Sequence, residues 1–587
     1  MLNSLDAGTV GLTFKIKNKP QGSQMGSLSL LLYLVACFVF ASPEQAVDTY
    51  RILALRVSFP QETPDEETTS GDGTFDLRTL AAVQDSIVYP FDLPPHNRTY
   101  FEAHLQALSN YYNTASNGQL AILYDVYPRE ENASYQLTTP LIDYGNGRTR
   151  TEVSERIVRL FRDGILVADV AEGNNLDFSQ YDAFAVFHAG LGGEASQALN
   201  DIPSAFISTT DLTDFVEGPI SVDNGTFTVT SGMLLPEAIS TSGRGGLNGT
   251  LARFFASQLG LPGLSDFEND LPAVGDWSLM DTGANNLIEA DKLGLQPQQT
   301  TLGNTSVSST LIGFLPSLPM AWSRIKLGWI TPTTITRSDT VQIVAAHIQS
   351  DLPNAIKVPI SATEYYLLEN RISRLNVHGK TPTIHLSQPN GVWLSVDDQD
   401  AFIPGSGILI WHIDDTVINA SGDRKNINSN PDYEITFTQY RRGISLEEAD
   451  GLLDIGNVSA SRVVQNGIIS FSTIEGSETD PFYVGNNALF GPETTPNTRS
   501  NLNYPTGVTI EVLSPQADTM TVAIRFSQQQ DNWPVTGLVP NSESTPRAID
   551  LDGDGIKEIV RGITQEIEPS SVWDISGKPV VLNNRPF

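Results

Sequence analysis

Apolar and polar residues follow two different patterns in the two halves of the chain. In the first half, residues 50–59 and 183–188 form short apolar runs that predict buried strands. Residues 99–116 place apolar side chains at helical spacing on one side. Strands and helices that alternate over residues 48–335 predict an α/β domain.

In the second half, the apolar runs are short, rich in β-branched residues and separated by Gly, Pro, Asn and Asp. These runs lie at residues 341–344, 407–413, 468–471 and 519–526. Short strands divided by turn residues are typical of antiparallel sandwiches, so we predict a β-sandwich region over residues 336–527.

The stretch around residue 250 predicts one further helix. Residues 251–259 carry a wide apolar stripe that would face a core. Asn248 or Thr250 is expected to cap its start, because both side chains can accept a hydrogen bond from the first turn. Gly260 and Pro262 are expected to end it.

Composition narrows the possible partners. The chain has 587 residues, too many for one hydrophobic core, and its 40% hydrophobic content is enough for well-packed domains. The net charge of -33 repels nucleic-acid phosphates and anionic lipid headgroups, so nucleic acid is excluded as a partner. Solubility is the plain interpretation of this charge, with calcium attraction or a salty habitat as alternatives.

Residues 1–41 are typical of an export leader. Residues 28–40 are apolar, but the run is too short and too early for a membrane span, and Ala41 ends a small-residue cleavage signal. The alternative is a lipobox in which Cys37, the only cysteine, carries lipid after cleavage. Either way, we expect a secreted or cell-surface protein with no disulfide and no transmembrane segment in the mature chain.

Several motifs occur together in one order along the chain. They are LSNYY at 108–112, FAVFHAG at 184–190, GDWSLMD at 275–281, AWSRIKLGW at 321–329, EYYLLENR at 364–371 and GILIWHID at 407–414. On these motifs the chain resembles the immune inhibitor A family of secreted zinc metallopeptidases over roughly residues 48–525. The resemblance implies a zincin-like (metzincin-like) fold for the α/β domain. It also implies a site in which zinc activates water.

That family carries His-Glu-x-x-His-x-x-Gly-x-x followed by Asp or His on its active-site helix, and a turn containing Met lies beneath the metal. In this sequence, Arg253 and Ser257 occupy the two His positions, and Phe254 occupies the Glu position. Gly263 occupies the third-ligand position, and Met280 belongs to the turn. The sequence therefore resembles the family in its scaffold and departs from it at the metal.

The substituted residues cannot perform zinc chemistry. A guanidinium stays protonated and has no lone pair to offer, and a serine hydroxyl is a poor zinc ligand. Phe254 cannot take a proton from water, and Gly263 has no side chain. We therefore predict a pseudo-peptidase with no catalytic residues and no bound zinc.

The C-terminal tail carries a separate metal signal. Asp550, Asp552, Asp554 and Glu558 place carboxylates at alternate positions of a glycine-rich loop, and Ile556 can offer its carbonyl oxygen. This pattern resembles the calcium loop of FG-GAP/VCBS-type propeller repeats, so calcium is the predicted cofactor.

The repeat would span residues 535–587 and supply part of a β-propeller-type blade. One blade cannot close a propeller. We therefore expect either that the chain is truncated or that this unit docks elsewhere.

Three functions are compatible with these observations. The first is an exported, catalytically inactive protein that binds an extracellular protein or peptide. The second is an active secreted zinc endopeptidase with displaced ligands. The third is a structural component of an envelope or matrix.

Overall fold

The computed structural model describes most of the chain after the predicted leader. The described residues are 47–194, 196, 198–297, 310–420, 427–429, 441–465, 468–527, 547–549, 558–560 and 572–573, with the backbone alone for 458–472 and for the last three ranges. Val47–Phe587 forms one compact unit, to which everything below refers.

A mixed six-stranded sheet organises the first half of the chain, in the order β2-β1-β4-β8-β5 with β3 beside the end of β1. Its strands are β1 (Asp48–Ser58), β2 (Leu120–Tyr127), β3 (Tyr135–Gln136), β4 (Ala183–Leu191), β5 (Ala205–Ile207) and β8 (Gly232–Ala238). All neighbours run parallel except β5, which lies antiparallel to β8 at one end of the sheet. The central strand β4 is buried from Ala183 to Gly190, as its continuous apolar run predicts.

The described α-helices are α1 (Leu80–Val83), α2 (Arg98–Ala115), α3 (Leu141–Gly145), α4 (Arg150–Glu172), α5 (Thr209–Val216), α6 (Asn248–Gln258), α7 (Ala321–Lys326), α8 (Arg374–His378) and α9 (Asp415–Ala420). Of these, α2, α4 and α6 pack against the first sheet. The helix predicted over 99–116 is confirmed as α2, which begins where the Asn97 side chain accepts a hydrogen bond from the Tyr100 N–H at 3.2 Å. A reciprocal capping box between Thr149 and Glu152 begins α4.

Two further sheets organise the second half of the chain. One has five strands in the order β11-β13-β14-β17-β18, and the other has four in the order β12-β23-β22-β21. The five are β11 (Thr333–Thr334), β13 (Ile356–Pro359), β14 (Glu364–Arg371), β17 (Gly407–Asp414) and β18 (Ile444–Leu446). The four are β12 (Asp339–Val344), β21 (Leu489–Phe490), β22 (Val508–Val512) and β23 (Thr519–Phe526). Every pairing is antiparallel except that of β11 with β13.

The five-stranded sheet is buried on both faces. Along β14, Tyr366 and Leu368 join a core shared with the four-stranded sheet, whereas Tyr365 and Leu367 join the core of the first sheet. Because side chains alternate along a strand, the uninterrupted apolar run in EYYLLENR reports this double burial. The first hydrophobic core thus crosses the domain boundary predicted near residue 335.

Four two-stranded antiparallel sheets are also described. They pair β6 (Ile220–Val222) with β7 (Phe227–Val229), β9 (Leu287–Glu289) with β10 (Thr310–Ile312), β15 (Ile384–Leu386) with β16 (Trp393–Val396) and β19 (Val458–Gln465) with β20 (Ile468–Thr473). In the tail, β24 (Arg547–Ile549), β25 (Glu558–Val560) and β26 (Val572–Trp573) form an antiparallel sheet.

The predicted combination of an α/β region with further sheets is confirmed at this level. None of the helices that the structure describes is both long and apolar enough to span a bilayer.

A buried ion-pair cluster joins the two halves. Arg371 hydrogen-bonds Asp400 through Nε and Nη2, both at 2.6 Å, and donates from Nη1 to the Trp277 carbonyl at 2.8 Å. Arg324 lies 3.2 Å from Glu369, and these four charged side chains are fully buried. Bidentate geometry of this kind lets a guanidinium be buried without leaving its charge unpaired.

Candidate functional site

Helix α6 is fixed at its start by long-range hydrogen bonds. The N–H of Leu247 donates to Asp92 Oδ2 at 3.1 Å. The Asn248 side chain donates to the Trp393 carbonyl at 2.8 Å and accepts from His104 Nδ1 at 2.9 Å. Asn248 is the first helical residue and Leu247 precedes it without a side-chain cap, so the predicted capping by Asn248 or Thr250 is wrong. The Asn248 side chain instead forms hydrogen bonds with residues distant in sequence, so it does not cap its own helix.

The C-terminal end of α6 follows the sequence expectation. Gly260 has φ +92°, a left-handed conformation that favours glycine, and Leu261 N–H donates to the Ala256 carbonyl at 3.0 Å. The chain then returns towards the turn at 277–281, where Leu264 N–H donates to the Met280 carbonyl at 2.9 Å. Met280 itself is buried. The segment after the helix and the turn predicted to lie beneath it are therefore direct neighbours.

We use the name α6 site for Arg253, Ser257, Gly263, Met280 and Asp281. Arg253 and Ser257 lie one helical turn apart on α6, and both are partly buried. The Ser257 hydroxyl donates to the Arg253 carbonyl at 3.4 Å, so its proton is used within the helix. Phe254, at the position of the family's general base, is partly buried against the first core.

The Arg253 guanidinium has no partner among the residues that the structure describes: no hydrogen bond or ion pair within 4.0 Å links it to another side chain. Burial lowers the pKa of Arg253, and the negative charge of Asp281 opposes that shift. Arginine nevertheless remains protonated at neutral pH. The α6 site thus contains a positive charge at the position that the resemblance assigns to a metal ligand.

Asp281 is saturated by other donors. Its carboxylate accepts the Ser265 hydroxyl at 2.6 Å and the backbone N–H groups of Ala273, Val274 and Gly275 at 2.8, 2.8 and 2.9 Å. The residue is only 1% exposed. Asp281 therefore acts on Arg253 through its field and not through a contact.

An aromatic ring covers Gly263. A Cβ atom at this position would lie 2.3 Å from Phe267 Cζ and 2.6 Å from Cε2. Any side chain at position 263 must therefore displace the Phe267 ring, which is 38% exposed. The three positions that the resemblance assigns to zinc ligands are occupied by a guanidinium, a hydroxyl bonded to its own helix, and a glycine beneath a ring.

Neither His188 nor His412 belongs to a described group of side chains that could hold a metal ion. His188 is fully buried, its Nδ1 lies 2.9 Å from the Ala189 carbonyl, and burial lowers its pKa. His412 lies between Glu364 at 2.8 Å and Glu447 at 3.0 Å. Burial lowers the pKa of His412, but these two hydrogen bonds outweigh it and raise the pKa to about 9. Both histidines therefore have structural roles.

Acidic residues surround the turn beneath α6. Burial raises the pKa of Asp276 to about 7, and the Glu475 carboxylate adds to the rise. The backbone links these two residues, because Asp276 N–H donates to the Glu475 carbonyl at 2.7 Å. Asp281, Asp276 and Glu475 thus form an acidic cluster at this turn, and the mutual repulsion of their charges favours protonation of Asp276 and Glu475.

A second acidic cluster was missed by the sequence reasoning. Glu448, Asp450 and Asp480 each place a carboxylate oxygen within 4.8 Å of the other two, and this acidic triad could hold a metal ion. Burial raises the pKa of Glu448 to about 8, against hydrogen bonds from the Asp454 and Ile455 N–H groups. The local signal was EEADG at 447–451, but Asp480 is distant in sequence, so only the fold brings the triad together.

The acidic triad is connected to the turn beneath α6. The Trp277 indole N–H donates to Asp480 Oδ2 at 3.1 Å. Glu448 also lines a cavity of about 570 Å³ together with His412 and Arg499.

The other predicted site residues lie outside the described part of the chain. These are Cys37 and the calcium-loop residues Asp550, Asp552, Asp554 and Ile556. Of that loop, only Glu558 is described, as the first residue of β25.

Comparison with known proteins adds no family assignment: no protein-family model matches the chain, and no curated protein matches it. The relation to the immune inhibitor A family therefore stays a prediction from the motifs.

Proposed function

We propose that this chain is an exported protein built on a metallopeptidase-type scaffold, catalytically inactive, which binds an extracellular peptide or protein. The observation that carries the proposal is the composition of the α6 site. The segment after the helix meets the Met280 turn, as the resemblance implies, while none of the three ligand positions offers a zinc-binding atom.

Peptide binding is supported by the end of the first sheet. Strand β5 is the last in the sheet order, and no described strand pairs with its outer side. Helix α6 contacts both β5 and β8. An extended peptide could add to this edge by main-chain hydrogen bonds and would then lie close to α6. The short length of β5, Ala205–Ile207, limits such pairing to a few residues.

Calcium remains part of the proposal. The predicted tail loop supplies the oxygen ligands that calcium prefers, and the acidic triad offers a second group of carboxylates. Export to the extracellular space or the cell surface is proposed from the leader pattern alone.

The proposal is tested on the full chain by metal analysis and peptide binding together. We expect no stoichiometric zinc, no chelator-sensitive proteolysis and measurable retention of peptides from a random hexapeptide library. Stoichiometric zinc with chelator-sensitive cleavage would instead establish an active enzyme with displaced ligands. Absence of both zinc and peptide binding would favour the structural envelope or matrix role.

A further inference from the structure

Arg253 is the charged residue of the α6 site whose hydrogen-bond donors are unused by the described residues. The Arg253 side chain carries five N–H donors, yet no described residue accepts a hydrogen bond from it. It is partly buried, so water solvates it less completely than it solvates a surface arginine. Such a group keeps its full capacity to bind an anion.

The neighbouring carboxylate cannot take that role. Asp281 already accepts four hydrogen bonds, three of them from consecutive backbone N–H groups that hold it in place. A rotation of Asp281 towards Arg253 would leave those buried N–H groups without acceptors, at about 1–3 kcal/mol for each group. The guanidinium therefore stays available while the negative charge beside it stays fixed.

Nearby charges determine which anion fits. The negative charge of Asp281 acts on Arg253, so a doubly charged phosphate is repelled more strongly than a singly charged group. A planar carboxylate matches the fork of the guanidinium and forms two parallel hydrogen bonds with it. The Phe267 ring, which is 38% exposed, covers Gly263 and adds an apolar surface at that position of the α6 site.

We propose that Arg253 binds a carboxylate of a peptide ligand, in the place where the related enzymes would hold zinc against a peptide carbonyl. This inference rests on the proposed function, because it names the chemical group by which the same site recognises its peptide. The carboxylate comes either from the C-terminus of the peptide or from an Asp or Glu side chain.

The experiment uses three random hexapeptide libraries with the full chain at low salt. The first contains no acidic residues and has a free C-terminal carboxylate, the second is the same library amidated, and the third is amidated with one Glu. We expect the first or the third to bind at least about tenfold more tightly than the second, since charge-assisted pairs are worth more than neutral ones. Preference for the first identifies the C-terminus, and preference for the third identifies a side chain.

Arg253→Gln should abolish the preference while the amidated library without Glu binds as before. Arg253→Lys should retain part of it, because the charge remains but the fork is lost. Arg337→Gln, which removes an exposed arginine elsewhere, is the matched control and should bind like the parent. Thermal unfolding of each variant shows whether it is folded. If Arg253→Gln does not fold, Arg253→Lys is the variant that tests the proposal.

The outcomes separate the two proposals. Equal binding of all three libraries by the parent chain, or an unchanged preference in Arg253→Gln, overturns the carboxylate inference and leaves peptide binding in place. Failure of every library to bind overturns the proposed peptide-binding function itself.

Discussion

Two arginines in this molecule lie in opposite environments. Arg371 is fully buried, makes two hydrogen bonds to Asp400 and donates a third to the Trp277 carbonyl. Arg253 is partly buried and has no described partner. Both belong to segments through which the chain resembles a peptidase family. The partners of a charged residue, and not its place in a motif, therefore indicate whether it stabilises the fold or is available to bind a ligand.

The largest expected effect tests this comparison directly. Arg371→Met should lower the free energy of unfolding by about 3–5 kcal/mol, because it leaves Asp400 buried without its cation, while Glu369 keeps Arg324. Arg253→Met should change it by less than about 1 kcal/mol, since no pair is broken. Denaturant titration of both variants measures the difference. An equal loss in the two variants would show that Arg253 is a structural residue after all.

Restoring the family's ligand pattern on α6 tests the alignment of this helix with the family motif. Arg253→His, Phe254→Glu, Ser257→His and Gly263→Asp together restore the family pattern, but the new Asp would collide with Phe267. We expect zinc to bind at least about tenfold more tightly when Phe267→Ala is added, because the third ligand can then reach the metal. Competition with a chelator gives both affinities. Equal affinities contradict the role of the ring, and folded variants that bind no zinc contradict the alignment of the helix.

The sequence predicted much of the scaffold and little of the chemistry. Strand β4 and helix α2 followed from apolar periodicity, and the turn at Gly260 followed from its glycine. The saturation of Asp281 could not be predicted, because its donors are mainly backbone N–H groups whose positions depend on a turn.

The Phe267 ring over Gly263 and the acidic triad were missed for a related reason. A ring position depends on loop geometry, and Asp480 joins Glu448 and Asp450 only through tertiary structure. The double burial of β14 was visible as an apolar run, but the run did not say which sheets cover it.

The contrast between paired and unpaired charged groups extends to carboxylates, and it predicts how the stability of the fold depends on pH. Glu448 is buried beside other acids, and its pKa in the folded state is raised to about 8 from an ordinary value of 4.5. The folded state therefore holds a proton that the unfolded state has lost between these values, so stability falls as pH rises from 4.5 to 8. Glu448→Gln should reduce this fall, by about 1–3 kcal/mol at pH 8, without an added cation.

Denaturant titration at several pH values measures that slope. His412 acts in the same direction, because its raised pKa of about 9 gives stability that is present below 6.5 and lost as pH rises through 9. A remaining slope in Glu448→Gln is therefore expected. An unchanged slope would contradict the assignment of the raised pKa to Glu448.

The smallest expected change in stability comes from substitutions in the C-terminal tail, where the sequence retains all the predicted calcium ligands. Asp552→Ala removes one carboxylate of the calcium loop and should weaken calcium binding measured by calorimetry, with little change in the unfolding of the remaining chain. Asp552→Asn is the matched control, because it keeps an oxygen and should weaken binding less. An unchanged calcium titration in Asp552→Ala would count against the loop.

The most direct test of the central claim is the zinc content of the purified full chain after dialysis against buffer that contains zinc. The account predicts substoichiometric zinc, because the positions that correspond to metal ligands hold Arg253, Ser257 and Gly263. One firmly bound zinc ion per chain, lost together with proteolytic activity on chelation, would contradict it.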